Sequence, residues 1–468
     1  MSGRTLILGW VILFAVPQIA LAQDPPTAAA SSEDTKSPIR SNHFVPFVDI
    51  VAFDFLLNRY NYRFVERASY DVTGASIRRN VHAAWVVDND PFSINQFMHP
   101  YQGAVYHGFA RSAGLNYWEA MGYTFAGSML WELAGETTTP SKNDQIASGI
   151  GGSFLGEPLF RLAELMLAPS GHRFLRELSA LVISPSTEFN RIAYGGRFRG
   201  VEPSLNPAIF TRVQFGVTGT ASIENSLTQP LTRNEAVADF AVEYGMPGKP
   251  GYAYHRPFDY FDLQFTSSTG SRFENIFTRG LLAGKSYGEG SDRSRGVWGL
   301  YGSYDYVAPQ IFRVSSVALS LGNTLQRNIA SSSAIQGTAI AGVGYGAAGG
   351  FVSPDSTDYH YGLTPQVLGA VRVIARDKAA LELTFRDYYV SRFASTGAGS
   401  ENIARADALF SYRFAGRHAA SVRYIWSHRM THGSDPVFGD VVQSRGSIGL
   451  FYTYLGGEGT HFGAVKFE

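Results

Sequence analysis

The sequence predicts a mainly β chain with an α-helical N-terminal region: a transmembrane antiparallel β-barrel of 12 or 14 strands, with helices in its lumen or at its periplasmic mouth. Three observations predict it. From about Phe210 onward, apolar and polar residues alternate in segments of about ten residues between turn signals. The chain opens on a basic residue and an apolar run. It closes on Thr460–Glu468, T-H-F-G-A-V-K-F-E, where Gly463, Val465 and Phe467 share one strand face and end on an aromatic. The expected order is a signal peptide at 1–22, a linker at 23–42, a mixed region at 43–200 with helices at about 100–182, and a barrel at 201–468.

At the N-terminus, Arg4 precedes the apolar run Leu6 to Val16, and Ala20-Leu21-Ala22 supplies a small-x-small cleavage site, the pattern of a secretory leader. Asp24 to Ser41 is Pro, Ala, Ser and charge without an apolar period, which predicts a disordered lead-in. Phe44 to Leu57 and Val81 to Val87 are apolar and read as strands, either of the barrel or of the helical unit.

Between His99 and Pro185 the period lengthens and helix punctuation appears, predicting four or five short helices. His99-Pro100 opens a segment that runs to Gly114. Asn116 and Glu119 have capping-box spacing ahead of an apolar run ending near Gly135. Ser141 and Asp144 repeat the box, Pro158 sits where a first helical residue would, and Ser170 can cap a last helix through Leu181. Ala120 to Trp131 is uncharged but too short to span a bilayer.

In the second half, Thr211, Val213, Phe215 and Val217 oppose Arg212, Gln214, Gly216 and Thr218; Ala406, Ala408, Phe410, Tyr412 and Phe414 oppose Arg405, Asp407, Ser411 and Arg413. Segments of this length suit a tilted membrane strand better than a soluble sandwich, whose strands average about five or six residues. The lumen face then carries both signs: Arg212, Glu235, Asp239, Glu243, Glu382, Arg386, Arg405, Asp407, Arg413 and Arg423. Mixed signs predict a hydrated interior cross-linked by ion pairs; a charge-selective pore is the sharper alternative.

Composition excludes several chemistries. Lys plus Arg and Asp plus Glu are both 39, so no charge excess argues for nucleic acid. With 0 cysteines, a disulfide framework, a thiol nucleophile and Cys-ligated metals are out. Gly344 to Gly349 matches G-x-G-x-x-G without a following helix, and Ser427-His428 lie on opposite faces of a strand, so neither makes a site.

The candidates for chemistry are His99, Glu132, Glu136, Asp144 and Glu157. Glu132 and Glu136 are one helical turn apart, as paired carboxylates for acid–base work would be. Their bland alternatives are a solvated pair at a helix end, a turn histidine, a cap for Asp144 and a dipole-favoured carboxylate for Glu157. No Glu-x-x-His repeat occurs, so neither a metal nor a cofactor is expected.

Asn95-Gln96, His99-Pro100-Tyr101 with Gly103, Trp131-Glu132 and Glu136, Pro140-Ser141 with Asn143-Asp144, Gly151-Gly152 with Leu155-Gly156-Glu157, and Phe189-Asn190-Arg191 occur in an ordered set. Over Phe44 to Gly200 this set resembles an uncharacterised family of Gram-negative outer-membrane proteins, grouped as a domain of unknown function. The resemblance implies a helical unit joined to a barrel in the outer membrane and carries no activity.

The expected function is therefore transport or envelope organisation in the outer membrane, with a helical plug. One alternative is an envelope hydrolase acting on lipid or cell-wall material through the His and Glu residues. Another is a structural or assembly barrel without turnover. Expected partners are outer-membrane lipid, lipopolysaccharide and, through Gly463, Val465 and Phe467, the barrel-assembly machinery.

Overall fold

In a computed structural model, residues 41–467 are described outside 168–172, 196–205, 226–233, 351–356, 393–398, 433–439 and 458–460. The expected leader, most of the linker and the Ser170 cap lie outside the described residues. The chain divides into two compact units, one helical up to Pro203 and one of strands from Ser204.

The strand unit is a closed barrel of twelve antiparallel strands, each paired with its sequence neighbour and the last with the first. In order they are β1 (Ile209–Asn225), β2 (Asn234–Tyr244), β3 (Phe261–Ser268), β4 (Asn275–Tyr287), β5 (Ser294–Val307) and β6 (Phe312–Ala330). Then come β7 (Ser333–Gly350), β8 (His360–Ala375), β9 (Ala379–Val390), β10 (Ser400–Ala415), β11 (His418–His432) and β12 (Val442–Gly457). Closure removes every free edge, which a sheet in lipid requires. The period-two pattern sets the faces: Phe410, Tyr412 and Phe414 of β10 are exposed on the outside, while Arg405, Leu409 and Ser411 are buried within. Leu319 and Leu321 of β6, Leu383 and Phe385 of β9 and Leu450 and Tyr452 of β12 extend the same exposed apolar belt.

The segment expected to close the barrel does not close it. The sheet closes on β12, where Phe210 pairs with Gly457, and Gly463, Val465 and Phe467 lie on no strand. Residues 461–467 instead turn inward across the end of the barrel that carries Ile209 and Gly457. His461 is anchored to the β8–β9 turn, its backbone N–H donating to Asp377 Oδ1 at 2.8 Å. Gln336 donates to the Gly463 carbonyl at 2.9 Å, and the Val465 N–H donates to Gln326 at 2.8 Å. Phe462 and Ala464 pack with Phe210, Met246, Ile374 and Leu455, and the Arg295 guanidinium lies 4.7 Å from the Phe467 ring centroid. Gly463 has φ +80°, a conformation that lets the tail bend under the strands. An apolar alternation thus serves an inward-packed tail, a use that the period-two signal alone does not distinguish from a strand.

The helical unit contains α1 (Phe44–Phe64), α2 (Arg67–Tyr70), α3 (Gly74–His82), α4 (His99–Ser112), α5 (Tyr117–Ala134), α6 (Lys142–Ile146), α7 (Gly152–Leu167), α8 (Arg173–Ile183) and α9 (Pro185–Tyr194). Single π-helical turns precede α4 at Ile94–Met98 and α7 at Ala147–Gly151. Phe44–Leu57, expected as a strand, is helical. Its pattern misleads because the faces are inverted: Asp49, Asp54 and Asn58 point inward while Phe44, Phe47, Phe55 and Leu56 are exposed. Val81 lies in the last turn of α3, and Val86 makes only an isolated parallel bridge to Ser141. Pro158 lies within α7 rather than at its start. The Asn116–Glu119 capping box forms as predicted: Asn116 Oδ1 accepts from the Trp118 and Glu119 N–H groups, and Glu119 accepts from the Asn116 N–H at 2.8 Å. Where α4 meets the π-helical turn before α7, a Cβ on Gly103 would fall 2.1 Å from the Ser148 carbonyl oxygen, so only glycine permits the approach. Among the described residues, no helix is long and apolar enough to cross a membrane.

Candidate functional site

Two polar centres form, one inside each unit. In the helical unit the parallel bridge ties residues 86–88 to 140–144: the Val86 N–H donates to the Pro140 carbonyl at 3.0 Å and the Lys142 N–H to the Val86 carbonyl at 2.8 Å. That contact sets Asp88 beside Asn143, whose Nδ2 donates to Asp88 Oδ1 at 2.6 Å and to Asp144 Oδ1 at 3.1 Å. Asn95, on the π-helical turn, donates to the same Asp88 oxygen at 2.7 Å. The turn delivers His99 at the head of α4, with Nε2 3.7 Å from Asp144 Oδ2.

Glu132 arrives from the last turn of α5. The carbonyls at this helix end are satisfied by amides: Asn58 donates to the Gly135 carbonyl at 2.8 Å, and Asn80 to the Glu132 and Glu136 carbonyls at 3.4 and 3.3 Å. Ser141 Oγ accepts from the Asp144 N–H, as the expected cap does, but the reciprocal half differs. The Ser141 N–H donates to Glu132 Oε2 at 2.7 Å, so Asp144 is freed from capping and faces the cluster.

His99, Glu132 and Asp144 are each buried, and each offers a ligand atom within 4.8 Å of the others. Burial, then the neighbouring Glu136, raises the Glu132 carboxyl to about 9. Asp144 is raised well above the usual range by burial, Asp88 and Glu132, while burial lowers His99 to about 4. Glu136 is raised to about 7, by burial first.

Glu157, the fifth expected site residue, is not in this cluster. It is buried in α7, where it accepts from Arg111 Nε at 2.7 Å and Arg161 Nε at 2.8 Å, and lies 3.1 Å from His107 Nε2. Burial pushes its carboxyl up, but Arg111, Arg161 and His107 together outweigh that and hold it well below the usual range. It is a charge-compensated structural group, and the dipole reading of its position does not describe it. Asp88 and Asn143 were missed as site residues. An Asp placed by an irregular segment carries no period, and Asn143 entered the sequence reading only through the motif set.

The barrel interior is the second centre. Arg212 on β1 meets Glu382 on β9 at 2.7 Å, and three strands separate them on the shorter way round, so this pair crosses the lumen. Arg372 on β8 reaches Glu243 on β2 at 3.0 Å and Glu382 at 3.2 Å; Arg423 on β11 bonds both Asp407 and, at 3.2 Å, Asp239 on β2. Arg405 lies 4.0 Å from Glu274, Arg445 2.8 Å from Glu235, and Arg386 sits 3.9 Å from the Phe277 ring centroid. Arg413 is at the rim, bonded to the Asp377 carbonyl at 2.9 Å. Of the ten residues read as lumen-facing, nine make these contacts inside the barrel and Arg413 sits at its rim, while Arg372, Asp262, Arg279, Glu274, Glu401 and Arg429 share the interior. Between the ion pairs remains a cavity of about 130 Å³, lined among others by Arg212, Tyr260, Arg279, Gln326, Thr338 and Arg372.

Residues 84–186 match the model of the family described as domain of unknown function DUF3943. That span holds Asp88, His99, Glu132, Asp144 and Glu157. No curated protein matches the chain. Among solved structures, the NanC porin is 6% identical with a TM-score of 0.27, covering 51% of this chain and 98% of its own. The KdgM porin is 8% identical, TM-score 0.24, covering 52% and 98%. The outer-membrane channel DcaP of Acinetobacter baumannii is 9% identical, TM-score 0.24, covering 53% and 97%. At such identities the likeness does not extend to activity.

Proposed function

We propose that the chain is an integral outer-membrane barrel that passes small polar solutes and is closed at rest. The observation that carries this reading is the pairing of an exposed apolar belt with a polar interior whose cavity sits among ion pairs of both signs. Lipid accepts the belt, and closure pairs every strand with two neighbours, leaving no sheet edge in it. Outer-membrane lipid and lipopolysaccharide are the proposed surroundings. The interior is not an open channel: Arg212–Glu382 and Arg372–Glu243 bridge it from wall to wall. Transport on this reading requires those largely buried pairs to part, which costs more than parting a surface pair and keeps the resting interior shut.

Swelling of proteoliposomes containing the refolded full chain tests the proposal. Arg372→Ala combined with Glu243→Ala is expected to speed entry of small sugars and amino acids relative to the unsubstituted chain. Equal and negligible entry for both would count against transport.

A further inference from the structure

We propose that the helical unit binds one divalent transition-metal ion through His99, Glu132 and Asp144, with Asp88 beside them. Geometry is the first reason. The three residues come from the start of α4, the end of α5 and α6, and their ligand atoms converge within 4.8 Å in a buried place. Asn143 bonds both Asp88 and Asp144, the arrangement by which an outer shell fixes carboxylate ligands.

The second reason is independent of the clustering of acids. Glu132 has no exposed surface, and its Oε1 has no hydrogen-bond partner while Oε2 accepts from Ser141. A wholly buried carboxylate oxygen without a donor is costly unless something positive meets it. The groups that act on Glu132 electrostatically are Glu136, Asp88 and Asp90, all acidic. For Asp144 they are Asp88 and Glu132. The Glu157 cluster shows the contrast, since there the same unit supplies Arg111 and Arg161 to one buried carboxylate. Glu132 also stands at a helix C-terminus, where the dipole disfavours negative charge and favours a cation.

The donor set selects the ion. One imidazole nitrogen with carboxylate oxygens suits Mn²⁺, Fe²⁺ or Zn²⁺, whereas Ca²⁺ and Mg²⁺ prefer all-oxygen sites. The π-helical turn just before His99 and the one just after α6 set the ligands in register, a common use of such turns.

The test uses the full chain, refolded in detergent and stripped with chelator, and titrated calorimetrically with MnCl₂ or ZnCl₂ alone. One equivalent is expected to bind. Glu132→Gln and Asp144→Asn should each weaken binding by at least about 100-fold, since loss of an outer-shell partner alone costs up to about that much. Glu119→Gln, at the far end of the same helix, should leave it unchanged. Absence of stoichiometric binding, or binding that both site variants retain, overturns the proposal. Should either variant fail to fold, the Mn²⁺-loaded unsubstituted chain decides. Its electron spin-echo spectrum should show modulation from a coordinated imidazole nitrogen, and a spectrum without it overturns the site.

Discussion

Glu157 and Asp54 show how opposite environments shape single buried carboxylates in the helical unit. Glu157 is held ionised by Arg111, Arg161 and His107, so Glu157→Gln leaves two guanidinium groups uncompensated. The expected loss is about 3–5 kcal/mol, read from denaturant unfolding followed by far-UV circular dichroism. Because its carboxyl is depressed in the folded state, this contribution is present above the ordinary value of 4.5 and is lost as pH falls through the lower folded value. Asp54 is the reverse case. Burial raises it to about 8, and the Tyr106 hydroxyl donates to it. The folded state then holds a proton that the unfolded state releases, so stability falls as pH rises from 3.8 to about 8. Asp54→Asn should flatten that slope and raise stability at neutral pH by at least about 1 kcal/mol, measurable in thermal melts across pH. Unchanged pH dependence in the variant would contradict the assignment.

At the scale of elements, local rules are visible where they act alone. The Asn116–Glu119 box was legible because both halves of a cap lie within four residues, and Asn116→Ala should cost about 1 kcal/mol in melting of the helical signal. The Ser141–Asp144 box read the same but formed only half, because the donor expected for Asp144 goes to Glu132, nine residues back on another helix. Inverted faces hid α1: its inward positions are Asp49, Asp54 and Asn58, so the usual equation of apolar with buried fails there. Among strands, β10 was clear because four of the five inward positions from Arg405 to Arg413 are polar, Leu409 alone excepted. In β8 the inward Arg372 follows Leu368 and Ala370 on the same face, which dilutes the alternation and conceals it. Close helix packing was likewise invisible in the sequence. Gly103→Ala drives a Cβ into the Ser148 backbone and should destabilise by at least about 1–3 kcal/mol, seen as a lowered melting temperature.

For the whole molecule, the barrel and its polar interior were legible because one alternation, repeated many times, determines a sheet and its two faces. Which lumen charges pair was not, since Arg212 and Glu382 stand 170 residues apart and meet only when the sheet closes. Convergence of His99, Glu132 and Asp144 escaped for the same reason: three elements contribute one ligand each, and no spacing rule joins them. The inward tail is the feature that most changes the functional reading. It places Phe462, Ala464 and Phe467 across one end of the lumen, held by Gln326, Gln336 and Arg295. We propose that this tail and the cross-lumen pairs together hold the barrel closed at rest. Planar-bilayer recording compares the full chain with the Gln326→Ala, Gln336→Ala double variant, which loosens the tail without shortening it. A nearly silent parent and several-fold greater conductance in the variant are expected; an open parent, or a variant as silent as the parent, rules out closure by the tail.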